Sequence, residues 1–380
     1  MEEEATGATG ASVEDAASAD GAAAAAEAPG IEPGPVTAWL AERLPELREP
    51  LSFELITGGR SNLTFKVTDS AGHRWALRRP PLGKRLGSAH DMGREYRAVS
   101  ALAGTEVPVS PLVGICEDEG VTGAPFYVME FVEGPVLRGP DEAALFPDES
   151  DRHEIGVRVA ETLAALHSVD PDAVGLGELG RKEGYVARQL KRWHGQWEQS
   201  KTRELPLVDE VHARLAERIP EQGPARIVHG DYRLDNLILA PPQSGGAVGE
   251  APEGEARIEI AAVVDWELCT LGDPLADLGL LMVYWAEPED RMVPLFEPAT
   301  RAPGFPGRAE IASIYAELTG RDISGLDYYT ALGYWKLAII LEGVVARYSA
   351  GQHGETDDSF RIFVQVIEHL VAAADQALDT

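Results

Sequence analysis

Apolar and polar positions change rhythm once along this chain. Between about Leu51 and Glu130 the apolar residues come in short runs bounded by turn formers: SFELI, NLTFKVTD, HRWALRR, PLVGIC and PFYVMEF. Runs of that length, rich in β-branched and aromatic residues, predict strands. One helix, over 91–102, interrupts them. After Glu133 the spacing turns helical: Ile155, Val159, Leu163 and Leu166 share one face, and the same spacing runs through Tyr185–Ser200 and Tyr329–Tyr348. A strand cluster at Arg226–Val264 is the exception. The pattern predicts an α+β chain with a small sheet-rich lobe (35–132), a larger helical lobe (133–380) and a ligand cleft between them.

Two segments break the pattern. Residues 1–34 are mostly Ala, Gly, Glu and Asp without apolar periodicity, so disorder is expected, the alternative being an acidic interaction tail. Residues 240–256 (around PPQSGGAVGEAPEGE) have the composition of a flexible loop between strands. The 380 residues carry a formal charge of −30, which argues against nucleic acid or an anionic membrane as partner. Cys116 and Cys269 lie in apolar stretches without metal-ligand spacing and are expected to be reduced core residues of a cytoplasmic protein. The acidic start does not resemble a signal peptide, and the chain is expected to hold no apolar run of membrane-spanning length.

The chemistry concentrates in one stretch, Ile227-Val228-His229-Gly230-Asp231-Tyr232-Arg233-Leu234-Asp235-Asn236-Leu237-Ile238-Leu239. Two apolar strands flank a polar loop with the spacing H-x-D-x-x-x-x-N. A third strand, 258–264, then ends in Asp265-Trp266-Glu267. Phosphoryl transfer explains the residue types, because its loose transition state is served by positioning and charge neutralisation. Asp231 would accept or orient the proton of a substrate hydroxyl. Asn236 and Asp265 would give hard oxygen ligands to magnesium. The alternative is that Asp231 and Asn236 only cap local turns.

HGDYRLDN followed by VVDWE resembles the aminoglycoside phosphotransferase family, which shares the bilobal protein-kinase fold with its small antiparallel sheet. The resemblance runs from about Pro35 to the C-terminus. It implies that Asp231 is the catalytic base, that His229 shapes the catalytic loop, and that Asn236 and Asp265 hold Mg2+. The cofactor would be ATP or GTP, and the acceptor a small-molecule hydroxyl. Glu267 lies either near metal and substrate or in a structural role.

On the sheet side, Gly58, Gly59, Ser61 and Asn62 resemble the loop that covers the phosphates, where glycine lets backbone approach closely. The strand lysine of the fold is replaced by Arg78, a planar fork instead of a point charge. Glu95 is its candidate partner; otherwise Glu95 lies at the margin of an apolar stripe. Backbone groups near Glu130 and Val132 would meet the purine.

Against the acidic background, Arg181, Arg188 and Arg192 fall near one helical face with Tyr185 beside them. Together with GGRSN and LRRPP, this resembles the branch of the family fused to acyl-CoA dehydrogenases, which implies a hydroxyacyl-CoA or hydroxy acid as acceptor. Arg233 either contacts phosphate or substrate or braces the loop against Asp235. Asp273 and Asp277, in LGDPLADLG, are expected to cap the next helix and brace the loop. The competing expectations are an antibiotic phosphotransferase, with an acidic acceptor pocket, and a non-catalytic nucleotide-binding module.

Overall fold

The computed structural model describes residues 28–56, 62–82, 91–241, 258–290, 297–349 and 361–379. Helix α1 (Pro33–Ala41) precedes strands β1 (Ser52–Leu55), β2 (Leu63–Thr68) and β3 (Arg74–Arg79). Then come α2 (Met92–Leu102), β4 (Leu112–Cys116), α3 (Glu119–Thr122) and β5 (Phe126–Glu130). The five strands form one antiparallel sheet in the order β1-β2-β3-β5-β4.

The strand alternation divides the work of this sheet. Phe65, Leu77 and Val128 are register partners and fully buried, packed with Val36 and Leu40 of α1. Burial of such side chains contributes roughly 1.5–3 kcal/mol each. The opposite face carries Thr64, Arg78 and Tyr127, also in register, and so presents polar groups beneath α2. Residues 1–27 of the expected tail lie outside the described residues. Its limit at 34 is corrected by Ile31, which is already buried in the core that α1 closes.

The second lobe runs α4 (Pro140–Ala143), α5 (Glu149–Ser168), α6 (Tyr185–Ser200) and α7 (Pro206–Glu217), then β6 (Arg226–Val228), β7 (Leu237–Leu239), β8 (Ile260–Val263) and β9 (Thr270–Gly272). It ends with α8 (Leu275–Tyr284), α9 (Arg308–Thr319), α10 (Leu326–Ser349) and α11 (Arg361–Ala377). The predicted stripe of α5 is buried in full at Ile155, Val159, Leu163 and Leu166. β6 pairs with β9 and β7 with β8, which sets the loop 229–236 between two short ladders. Contrary to expectation, α10 is long and apolar enough to cross a membrane by length and composition. In this fold it is instead the central helix of a core, with 67% of that stretch buried against its neighbours.

The linker between lobes is fixed by close approach. Gly134 has a φ of +155°, and a Cβ there would stand 1.7 Å from the Leu239 carbonyl oxygen. Only glycine lets this linker lie on β7. The Leu239 N–H then donates to the Pro135 carbonyl at 3.0 Å.

Candidate active site

The loop between β6 and β7 is held from beneath by one carboxylate. Asp277, on α8 and 1% exposed, accepts from the His229 N–H at 2.7 Å and the Gly230 N–H at 2.8 Å. Burial alone would raise its pKa; the hydrogen bond from His167 and the fields of His167 and His229 outweigh it and hold the pKa low. Gly230 (φ +85°) could not carry a side chain, since a Cβ would meet Leu268 at 2.8 Å. That tight turn brings Asp231 out of the core with its carboxylate partly exposed.

His229 is fully buried, its ring 4.7 Å from Trp266. Its Nε2 lies 3.0 Å from the Val264 carbonyl oxygen, and its Nδ1 accepts from the Asp231 N–H. Both nitrogens are therefore spent on backbone. His229, expected to shape the catalytic loop, ties the Asp231 loop to the strand that ends at Asp265. Asn236 is oriented from the same side, its Nδ2 donating to Asp231 Oδ2 at 3.1 Å and to the Asp231 carbonyl at 2.8 Å. Its side-chain carbonyl is thereby turned the other way. The Val264 N–H donates to the Asn236 carbonyl at 2.9 Å, so the ladder delivers Asp265 beside Asn236.

Asp265 has a φ of +66°, the single non-glycine in the left-handed region among the described residues. Such backbone costs about 1–3 kcal/mol and persists where surrounding structure imposes it. Together Asp265 and Asn236 offer hard oxygens, a donor set that fits magnesium.

From the sheet side, Arg78 reaches across. Its Nε donates to Glu95 Oε2 at 2.8 Å, one Nη to Thr64 at 3.3 Å, and the other to Asp265 Oδ1. Burial works against its charge, but the carboxylates of Glu95 and Asp265 prevail and hold its pKa above the ordinary value. Glu95 is thus paired within the stripe of α2 and does not lie at its margin. Burial raises its pKa, and Arg78 leads the groups opposing that rise. Tyr127 and Asn62 also donate to it, at 3.1 and 2.7 Å.

Several expectations are corrected. Asn62 is buried and bonded to Glu95 and, at 3.1 Å, to Glu267, so its side chain joins the lobes instead of facing phosphate. Gly58, Gly59 and Ser61 lie outside the described residues. The Glu130 N–H is committed to the Pro111 carbonyl at 2.8 Å, so the purine expectation there rests on the Glu130 carbonyl and on Val132. The basic face of α6 does not form as expected. Tyr185 turns inward against Gly272, and Arg188 donates to the Arg181 and Glu183 carbonyls, closing the loop before α6. Arg192 is exposed, its guanidinium 5.2 Å from the Trp193 ring centroid. Arg233 is bonded to Asp235 at 2.9 Å, approaches Asp231 at 3.8 Å and lies over Tyr284 at 4.7 Å, so it braces the loop while lining a cleft. Asp273 accepts from the Leu275 N–H at 3.1 Å, closing the turn before α8, and from the Tyr329 hydroxyl at 2.6 Å, which ties that turn to α10.

Sequence reading missed Lys336, whose Nζ donates to the Gly230 carbonyl at 2.9 Å. Its signal was a lone lysine inside the apolar run Trp335-Lys336-Leu337-Ala338. It also missed Arg94, which donates to the Cys269 carbonyl at 2.8 and 3.1 Å and ties α2 to the segment after Asp265.

The model of a phosphotransferase enzyme family matches residues 52–312. Acyl-CoA dehydrogenase family member 11 of Mus musculus is 33% identical over 333 residues, which is 85% of this chain and 40% of that protein. Acyl-CoA dehydrogenase family member 10 of Mus musculus is 33% identical over 307 residues, 80% of this chain and 27% of that one. The chain therefore spans well under half the length of these curated relatives. Among solved structures, a Ralstonia eutropha protein described provisionally as an aminoglycoside phosphotransferase superposes with a TM-score of 0.71 at 33% identity. That match covers 90% of this chain and 98% of the other. Choline kinase from Cryptosporidium parvum superposes with a TM-score of 0.59 at 15% identity, covering 90% and 96%, a likeness of fold alone.

Proposed function

This chain belongs to the phosphotransferase enzyme family and has its bilobal kinase-like fold, and from that premise we propose that it transfers the γ-phosphoryl group of ATP or GTP to a hydroxyl of a small molecule. The observation that carries the reading is one bonded run. Asp231 is joined to Asn236 at 3.1 Å, Asn236 to Val264 at 2.9 Å, and Asp265 follows next in the chain. Asp231 takes the role of orienting the acceptor hydroxyl and receiving its proton. Asn236 and Asp265 would hold magnesium, which when bound supplies charge neutralisation to the phosphates. Arg78, already at Asp265, brings a guanidinium to the same place, and Arg233 adds a cation within 3.8 Å of Asp231.

What flanks the loop supports a reading of the acceptor class. One cleft, about 660 Å³ with its mouth included, joins Arg138, Arg233 and Asp235 to Leu137, Leu281, Trp285 and Pro298. Apolar walls beside guanidinium groups suit a hydroxylated acyl group attached to an anionic carrier. Likeness to proteins named acyl-CoA dehydrogenases supports the same class, a hydroxyacyl-CoA or hydroxy acid. An aminoglycoside or macrolide is the second acceptor class, favoured by fold alone. Arg78 in place of lysine motivates the third reading, a nucleotide-binding module without transfer.

The deciding experiment is a mass-spectrometric screen for phosphate gain with ATP or GTP and magnesium, over hydroxyacyl-CoAs, hydroxy acids and aminoglycosides. Phosphorylated hydroxyacyl products are expected, and Asp231→Asn should lower kcat about 10²–10⁴-fold with nucleotide binding retained. Nucleotide binding without transfer to any acceptor would establish the module instead.

A further inference from the structure

Lys336 is a half-buried cation that the reading above leaves without a task. It stands on α10 among Ala331, Leu332, Trp335, Leu337 and Ala338, all buried. One of its three donors is spent on the Gly230 carbonyl, one residue before Asp231. The ammonium lies 5.5 Å from the Trp193 ring centroid and lines a second cleft with Tyr185, Gln189, Trp193 and Leu332. Burial pushes its pKa down, while Asp231 and Asp277 act in favour of the charge and Arg192 against it.

A brace for the loop does not call for this residue. The Gly230 N–H is already fixed by Asp277, and the turn is set by glycine. A charged group in an apolar helix is costly unless paired, and a backbone carbonyl is a weak partner for an ammonium. A side chain of that kind gains its full complement when an anionic oxygen enters the cleft.

We propose that Lys336 is the acceptor-recognition residue, its ammonium taking a carboxylate or thioester carbonyl oxygen of the acceptor beside the hydroxyl held at Asp231. The inference rests on the phosphotransferase reading and narrows its substrate. Lys336 is bonded at Gly230, next to Asp231 in the chain, and the Asp231 carboxylate acts on its charge, so the proposal puts the oxygen at Lys336 and the hydroxyl at Asp231 on one small acceptor. Tyr185 and Trp193 line the same cleft as Lys336. Cationic amino alcohols meet a like charge at the same position, which sets specificity by repulsion as well as attraction.

The test uses the full chain with four probes: 3-hydroxybutyrate, 3-hydroxybutyramide, 3-hydroxybutyryl-CoA and choline. Wild type should prefer the acid or the thioester over the amide by about 10- to 100-fold in kcat/KM, mainly through KM. Lys336→Met should collapse that preference, and Lys336→Arg should restore part of it. Whichever of acid and thioester loses more names the oxygen that Lys336 binds. An unchanged preference in Lys336→Met overturns the inference and leaves the phosphotransferase reading standing. So does an equal loss for every probe, which would mark Lys336 as a loop brace. Choline used as well as the acid by wild type overturns it also. Transfer by wild type to none of the four probes would overturn the anionic-acceptor reading and this inference with it.

Discussion

The two walls of the site are held together by different forces. On the helical wall, the Asp231 loop hangs from Asp277 through the His229 and Gly230 N–H groups, in a position 1% exposed. On the sheet wall, Arg78, Glu95, Asn62, Tyr127 and Asp265 form a network of charged and polar side chains that crosses between the lobes. Backbone donors cannot change partner without unfolding the loop, so the first wall is rigid. A guanidinium with two carboxylates can release one of them to a ligand, so the second wall can rearrange. Catalysis of phosphoryl transfer needs both: a fixed oxygen for the hydroxyl and an adaptable set of charges for the phosphates.

The contrast is most exposed at Asp277. Asp277→Ala would leave two buried N–H groups without an acceptor and remove one of the two side-chain partners of His167. Stability should fall by about 3–5 kcal/mol, measured by urea unfolding. Asp277→Asn keeps one acceptor and should lose less. A loss under about 1 kcal/mol for the alanine variant would mean that the loop is held by something else.

Arg78 probes the other wall. Arg78→Met leaves Glu95 buried without its ion pair and should reduce kcat/KM for nucleotide about 10- to 100-fold. Arg78→Lys keeps the charge without the fork that reaches Glu95 and Asp265 together, and should fall in between. Equal activity of the lysine variant and wild type would reduce the wall to a matter of charge alone.

The smallest expected effect lies in pH dependence. Burial holds the pKa of His167 below its ordinary 6.5, with Asp277 opposing. Between the folded pKa and 6.5 the unfolded chain binds more protons, so stability falls as pH drops through that window. The depressed Asp277 carboxyl adds a second loss, beginning near the ordinary value of 3.8 and running below it. Replacing His167 with Gln should flatten the upper part of a stability-against-pH curve and also shrink the lower part, because His167 leads the groups that hold the Asp277 carboxyl down. A curve of unchanged shape would show that His167 titrates alike in both states.

The predicted elements and the observed ones agree where one local period dominates. The five runs from SFELI to PFYVMEF are β1 to β5, and the stripe Ile155-Val159-Leu163-Leu166 is buried as a unit. H-x-D-x-x-x-x-N was legible for the same reason, since a loop between two short strands keeps Asp231 and Asn236 close whatever surrounds them. Helix α6 was misread because spacing shows that residues share a face without showing what the face meets. Tyr185, taken for a surface partner of the arginines, is buried against Gly272. Asn62 shows the same limit: its place after a glycine pair could not reveal that Glu95 and Glu267 close on its side chain.

The sequence by itself determined the chemistry carried by neighbours in the chain: the two lobes, the loop bearing Asp231 and Asn236, the strand ending at Asp265, and the arginine standing where a lysine was expected. Tertiary structure alone decided which distant groups that chemistry answers to. Asp277 lies 47 residues from Gly230 and Lys336 lies 106 residues from it, yet each is bonded to it. Local periodicity follows from backbone geometry and is written into every stretch of chain. Long-range pairing depends on how helices close around the loop, and no spacing along the chain records it.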